Sequence, residues 1–411
     1  MNTTDRIKET LETLKIFSET ADSVTRLPFT KEAKLAVNFL KQKMEEAGLK
    51  VFIDASGAIH GIRPGISSRK IIIGSHYDSV KSGGAYDGIA GVVCGIEIAR
   101  LLKYETLFYT LEIIGFNDEE GIRFGTGFFS SKAFLGEWNI ENLKHQYDEH
   151  GVSVYDAMKS WNLIPEQLTN SVWDLSQIRC FMEIHIEQGP VLEKENVELG
   201  IVNGIVGMKR YNIQILGRAD HAGTTPMNMR YDALAGTANI IEYIEKAAKK
   251  YAGAVATVGV CTISPNAVNT VPEKVEFSLD IRSMNSNELH SLEKDILKHL
   301  EKTVQERNLT YEMQTKLEVE PSDMDDKLKS YLRQSVLKLG YSSININSGA
   351  GHDALPISRK LSTAMLFVPS KGGRSHCSEE YSKPENLAKA VHVMLDTIKK
   401  INNEENINEL S

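Results

Sequence analysis

Over about the first 50 residues, apolar side chains return at helical spacing in two blocks. The second opens at Thr30, a capping residue type, and closes at Gly48. The texture then turns to short extended patterns: LKVFID, and KIIIGSHYDSV around Ile71, Ile72 and Ile73. Residues 87–104 place Ile89, Val92, Val93, Ile96 and Ala99 on one helical face. Next, TLFYTLEIIGF is apolar almost throughout, the mark of a strand covered on both sides. Strand, helix, strand in this order predicts a βαβ unit and an α/β fold, a mixed, largely parallel sheet flanked by helices.

More polar, weaker helical patterns occupy residues 128–175, and CFMEIHIEQG reads as a further strand. Near residue 208 a self-contained series begins. RYNIQILGRADHAG is strand-like, DALAGTANIIEYIEKAAKKY helical, and AVATVGVCTI and VEFSLDIRS strand-like. NSNELHSLEKDILKHLEKTVQERN is helical and LTYEMQTKLEVE strand-like. That is β-α-β-β-α-β, an α+β unit complete in itself. A helix (DDKLKSYLRQSVLKLG), a buried strand (STAMLFVPS) and a helix (KPENLAKAVHVMLDTIKKI) then resume the first texture. The parse is one discontinuous α/β domain, residues 1–207 and 323–411, interrupted by an inserted domain at 208–322, with the tail NNEENINELS expected to fray. A split unit of this kind leaves an edge strand exposed, which favours pairing with a second copy.

Composition narrows the partners. The 411 residues carry a net charge of −8 and no basic stripe, so neither nucleic acid nor an anionic membrane is expected. No apolar run approaches the ~20 residues of a bilayer span. The start, MNTTDRIKET, lacks the apolar core of a secretion signal, and the expected location is the cytoplasm. Cys94, Cys180, Cys261 and Cys377 lie far apart with no C-x-x-C pair, so any metal must be held by imidazoles and carboxylates.

Residues of that kind sit where strands end and loops begin. His76 and Asp78 follow the triple-isoleucine strand on one side of an extended chain, where Asp78 is placed to take the second ring N–H of His76. Asp87 lies at the mouth of the next helix, where it also suits the N-cap. Glu119 and Glu120 close the strand that starts near Leu107. His185 shares a strand face with Glu183 and Glu187, and His376 follows the strand ending near Pro369. Taken singly, each residue is more often structural or solvated. Together, His76, Asp87, Glu120, His185 and His376 are a set able to hold two divalent ions with Asp87 bridging, at the strand ends where α/β sheets build sites. Imidazole with carboxylate suits Zn, Mn, Co or Ni without choosing among them.

In order along the chain, HYDSVKSGGAYDGIAGV, NDEEGIRF, MEIHIEQGPVLE, GRADHAGTTPM, VNTVPEKVEFSLDIRS, SGAGHDA and GGRSHCSEE resemble the motifs of the hydantoinase/carbamoylase family of di-metal amidohydrolases. That family includes N-carbamoyl-L-amino-acid hydrolases and allantoate amidohydrolase, within the aminoacylase/carboxypeptidase-like metallohydrolases. The resemblance implies a di-zinc-exopeptidase-like fold whose inserted domain serves as lid and dimerisation element. It implies metal ligation by His76, Asp87, Glu120, His185 and His376, with Asp78 steadying the first imidazole and Glu119 as general base. It also implies that His221 contacts substrate and stabilises the oxyanion, and that Arg282 clamps an α-carboxylate with Asn269 as helper. Gln188, Gly349, Ala350 and Gly351 are implied as further substrate contacts. With part of this set on the inserted domain, closure is expected to assemble the site and exclude water.

The implied reaction is hydrolysis of a linear C–N bond in a small ureido or carbamoyl compound with an α-carboxylate, by a homodimer. The carbamate released decomposes to carbon dioxide and ammonia. An aminoacylase or dipeptidase of the same superfamily, and a non-catalytic metal- or ligand-binding relative, are the alternatives. HIEQG together with DHAGTTPM favours the ureido branch, and the retained Glu119 opposes the non-catalytic one. GGRSHC departs from the pattern in Arg374, where relatives carry a small or aliphatic residue, and in Cys377 beside the histidine; neither removes a ligand.

Overall fold

The computed structural model describes residues 1–408, which divide into two compact units, Met1–Asn203 with Asp323 onward, and Gly204–Ser322. In the first unit the strands run in the order Lys50–Ile53, Ile59–Arg63, Tyr109–Phe116, Ser67–His76, Ile178–Ile186, Thr363–Val368, Leu199–Ile205. The central four of these are parallel, and the flanking pairs are antiparallel. Tyr109–Phe116 is buried at every position, as its continuous apolar run requires of a strand with layers on both sides.

The helix Ile89–Leu101 is enclosed rather than one-faced. Every residue from Ile89 to Ala99 is buried, including Glu97, which Arg6 meets at 2.7 Å. It packs against the sheet and beneath the helices Thr3–Ile16 and Pro384–Asn408. Its N-cap is Gly88 with no side-chain cap bond, so Asp87 does not take the capping role. Thr30 does cap Lys31–Glu46, its hydroxyl accepting from the Ala33 N–H at 3.3 Å.

Register positions the site. His76 pairs with Phe116, and His185 with Phe367, so the carboxyl ends of the parallel strands lie level. The loops that leave these ends carry the acids and the last histidine. Among the elements that were not predicted are the strands Ile59–Arg63, Leu199–Ile205 and Ser343–Ser348 and the helix Ala354–Ser358. The predicted fraying of the tail is corrected. The last helix continues to Asn408, with Asn402 accepting from the Tyr109 N–H at 3.0 Å and Glu404 meeting Lys327 at 2.9 Å. Residues 409–411 of that tail lie outside the described residues.

In the second unit the strands run Cys261–Ser264, Lys274–Ser283, Gly207–Leu216, Thr310–Val319, with Ala254–Thr257 also paired to Lys274–Ser283. AVATVGVCTI is therefore two short strands, not one. Alternate residues of Lys274–Ser283 (Val275, Phe277, Leu279, Ile281) are buried with Leu289, Leu292, Ile296 and Leu300 of the helix Ser286–Glu306. A short ribbon pairs Asp220–His221 with Thr270–Val271. Among the described residues no helix is long and apolar enough to cross a membrane.

Candidate active site

All five predicted ligands meet at the carboxyl edge of the parallel strands. His76 ends its strand and His185 is the last residue but one of its own. Asp87 stands between them, Oδ1 at 3.2 Å from His185 Nε2 and 3.6 Å from His76 Nε2. Its Oδ2 faces the other way, 3.0 Å from His376 Nε2, which in turn lies 3.3 Å from Glu120 Oε1. Two trios, His76–Asp87–His185 and Asp87–Glu120–His376, thus share one carboxylate, the ligand atoms of each lying within 4.8 Å of one another. Glu119 forms a third group with His76 and Glu120, its Oε2 at 4.0 Å from His76 Nε2.

Backbone carbonyls set the imidazoles. Nδ1 of His76 lies 3.1 Å from the Asp78 carbonyl oxygen, and Nδ1 of His185 lies 2.9 Å from that of Ile186. A carbonyl only accepts, so Nδ1 carries the proton and Nε2 is turned on Asp87. The Asp78 carboxylate, expected to orient His76, is farther off at 3.5 Å. Its oxygens instead accept from the backbone N–H groups of Glu119 and Glu120, at 3.1 and 3.3 Å, and so hold the loop that presents both acids. Gly88 is needed beside them, since a Cβ there would fall 2.3 Å from the His76 ring.

Burial pushes the carboxyls of Glu119 and Glu120 above their ordinary range. Burial also opposes ionisation of Asp87, but hydrogen bonds from His185, His376 and His76 overcome it and hold Asp87 well below. Asp87, with Glu120, raises His376 to about 10. This donor set fits divalent cations. Inward Nε2 atoms converge with buried acids that ionise readily only when positive charge sits beside them.

Gln188 donates from Nε2 to Asp87 Oδ2 at 2.9 Å and lies 3.3 Å from Ser375 Oγ. Gly349, Ala350 and Gly351 form the turn after Ser343–Ser348, where the Ser348 hydroxyl accepts from the Ala350 N–H at 3.2 Å. Sequence reasoning gave no role to two residues behind the histidines. His352 is buried with its ring centroid 4.4 Å from that of His185 and its Nε2 2.8 Å from Ser348 Oγ; burial holds its pKa well below the usual value. Glu183 accepts from Ser75 Oγ at 2.8 Å and from the Ala354 N–H at 3.1 Å, joining two strands to the start of the helix Ala354–Ser358. The GHDA motif and the Glu183/His185 alternation were the available signals.

On the second unit, His221 and Asn269 are exposed neighbours. His221 pairs with Thr270, and the Ala222 N–H donates to the Asn269 carbonyl at 2.9 Å. His221 Nδ1 accepts from Gly223 and Thr224 N–H groups at 3.0 and 3.2 Å, leaving the ring proton on Nε2. Arg282 is near neither. It pairs with Met208 at the end of its strand opposite Lys274, and its guanidinium grips Asp280 at 2.8 and 3.2 Å.

Residues 72–400 match the model of Peptidase family M20/M25/M40, and the chain belongs to that family. It is 36% identical over 400 residues to an N-carbamoyl-L-amino-acid amidohydrolase of Paenarthrobacter aurescens, covering 96% of this chain and 97% of the relative. To the allantoate amidohydrolase of Bacillus subtilis it is 34% identical over 401 residues, covering 96% and 97%. The solved structure of a hydantoinase/carbamoylase family amidase from Burkholderia multivorans aligns with a TM-score of 0.86 at 28% identity, covering 96% of this chain and 97% of that one. The resemblance carried by the seven motifs holds. The chain is an amidohydrolase, an enzyme acting on C–N bonds other than peptide bonds.

Proposed function

We propose that the chain hydrolyses the carbamoyl C–N bond of a small ureido compound bearing an α-carboxylate, an N-carbamoyl-L-amino acid or allantoate, with two divalent ions. The observation that carries this reading is the pair of trios sharing Asp87 with Glu119 beside them. His76, Asp87 and His185 would hold one ion, and Asp87, Glu120 and His376 the other; Zn, Mn, Co and Ni all suit such donors. When bound, the ions lower the pKa of water and polarise the scissile carbonyl. The chain's own groups do the rest. Glu119 takes the proton of the attacking water on its carboxylate and returns it to the leaving nitrogen. Asp78 holds the Glu119 backbone, and Gln188 holds Asp87. His221 donates from Nε2 to the carbonyl oxygen as charge develops there. Arg282 takes the α-carboxylate in its fork, with Asn269 and the 349–351 turn as further contacts.

This reading calls for two copies of the chain. Eight residues of extended strand, about 27 Å, separate Lys274, near the His221 ribbon, from Arg282. A small substrate does not span that length, so a site using both residues draws them from two chains. The edge strands Ala254–Thr257 and Cys261–Ser264, with Val255 and Val260 exposed, offer a surface for two-fold pairing.

Glu119→Gln tests the chemistry. It is expected to keep bound metal and lose kcat by about 10²–10⁴-fold; unchanged turnover ends the assignment. A panel of allantoate, N-carbamoyl-L-amino acids, β-ureidopropionate and N-acetyl amino acids tests the substrate. Preference for the N-acetyl compounds would move the protein to the aminoacylases.

A further inference from the structure

Behind the two trios lies a carboxylate that touches none of their three imidazoles. The GGRSHCSEE motif ends in two acids with different fates. Glu379 is exposed and meets Arg374 at 3.2 Å, whereas Glu380 is buried. Glu380 Oε1 accepts from the backbone N–H groups of Tyr86 and Asp87 at 2.9 and 3.0 Å. Its Oε2 accepts from Ser375 Oγ at 2.7 Å and from the backbone N–H of His376 at 3.3 Å. One side chain therefore ties together the backbones of two segments far apart in the chain, Asp87 lying 293 positions from Glu380.

Those segments end in the two side chains that meet across the site, Asp87 Oδ2 and His376 Nε2, 3.0 Å apart. His376 has a left-handed backbone, φ +56, which a histidine does not hold by its own preference. Asp87 precedes Gly88, which is also left-handed at φ +64. Glycine holds such a backbone by itself, so it is the His376 turn that depends on outside contacts; Glu380 bonds to that turn and to the Tyr86–Asp87 backbone opposite. The chain makes room for it at Gly84, where a Cβ would fall 2.1 Å from Glu380 Oε1. Glutamate suits the task for a chemical reason. It presents two accepting oxygens and no donor, whereas a glutamine amide would set N–H against N–H on one side. Aspartate, one methylene shorter, does not reach both sides.

We infer that Glu380 is a positioning residue that fixes the distance between Asp87 and His376 and thereby the affinity of the Asp87–Glu120–His376 trio for its divalent ion. The inference rests on the proposed reading of Asp87 and His376 as ligands.

The test uses the full-length chain loaded with Zn²⁺ or Co²⁺. Metal affinity is read by competition with a chelator, and ligand geometry by the visible spectrum of the Co²⁺ form. Both Glu380→Gln and Glu380→Asp are expected to weaken one of two bound ions by about 10–100-fold and to alter the Co²⁺ spectrum. Ser375→Ala, which removes one of the four bonds, is expected to weaken the same ion by a smaller factor. Wild-type affinity and spectrum in Glu380→Gln would overturn the inference. So would wild-type affinity in Glu380→Asp alone, since charge rather than reach would then be the cause. His376→Ala separates this outcome from failure of the ligand reading. If His376→Ala binds both ions as the wild type does, the ligand reading falls and the inference with it. If it loses one ion while the Glu380 variants lose none, only the positioning role falls. Should neither Glu380 variant fold, Ser375→Ala decides, and wild-type affinity there overturns the inference.

Discussion

Asp78 and Asp87 are both buried acids of one motif, yet they do opposite work. Asp87 spends its oxygens on imidazoles, one to each side. Asp78 spends its oxygens on backbone N–H groups of the Glu119–Glu120 loop. Behind Asp78 the buried guanidinium of Arg26 donates to the carbonyls of Phe17 and Tyr77 at 3.0 and 3.1 Å, and to that of Leu14. Arg26 so anchors the segment between His76 and Asp78. Asp78→Asn keeps the shape but turns an amide N–H against one backbone donor, leaving it unsatisfied. The expected result is a loss of kcat of about 10–100-fold with little change in circular dichroism. Steady-state kinetics of the metal-loaded variant check this, and an unchanged kcat would reject the role given to Asp78.

At the level of elements, the strand Ile59–Arg63 shows why some of the sheet escaped sequence reading. IHGIR lacks the apolar run of its neighbours because a charged contact fixes it. His60 Nδ1 lies 2.7 Å from Glu112 Oε1 on the next strand, and Nε2 lies 3.6 Å from Asp54 Oδ2. The Phe52 ring stacks on the imidazole with centroids 4.6 Å apart. Burial alone would lower the pKa of His60, but Asp54 and Glu112 raise it to about 9. The unfolded value is about 6.5, so folding takes up a proton between the two. This stabilisation is complete below about pH 6.5 and disappears as pH rises through about 9, and amounts to about 3 kcal/mol. Urea unfolding at pH 6.5 and pH 10 should show that loss in the wild type and much less of it in His60→Asn. Equal pH dependence in the two proteins would reject the network. The parallel strands, by contrast, were legible because burial on both faces leaves a continuous apolar run.

At the scale of the whole molecule, the separation of the His221 ribbon from Arg282 by the length of the strand Lys274–Ser283 makes a prediction about assembly. His221→Ala and Arg282→Ala are each expected to be nearly inactive alone. Co-expressed, they should form mixed dimers in which one site keeps both residues, and activity should return in the mixed fraction. Purification of that fraction by two different tags and assay of it provide the check. No recovery would place both residues in service of the same chain's site and remove the argument for a dimeric site.

The order of the ligand motifs, their attachment to strand ends, and the α/β texture around a β-α-β-β-α-β insertion were all present in the sequence. These are local properties. Periodicity records which faces are covered, and a residue's distance from a strand end is a matter of counting. Which oxygen of Asp87 serves which imidazole, that Asp78 also holds the Glu119–Glu120 loop, and that Glu183, His352 and Glu380 stand behind the site were decided only in the folded chain. Each depends on contacts between segments far apart in sequence, such as Ser75 with Glu183 or Asp87 with Glu380. No repeat or spacing along the chain encodes such contacts, because close packing alone selects which distant groups become hydrogen-bond partners.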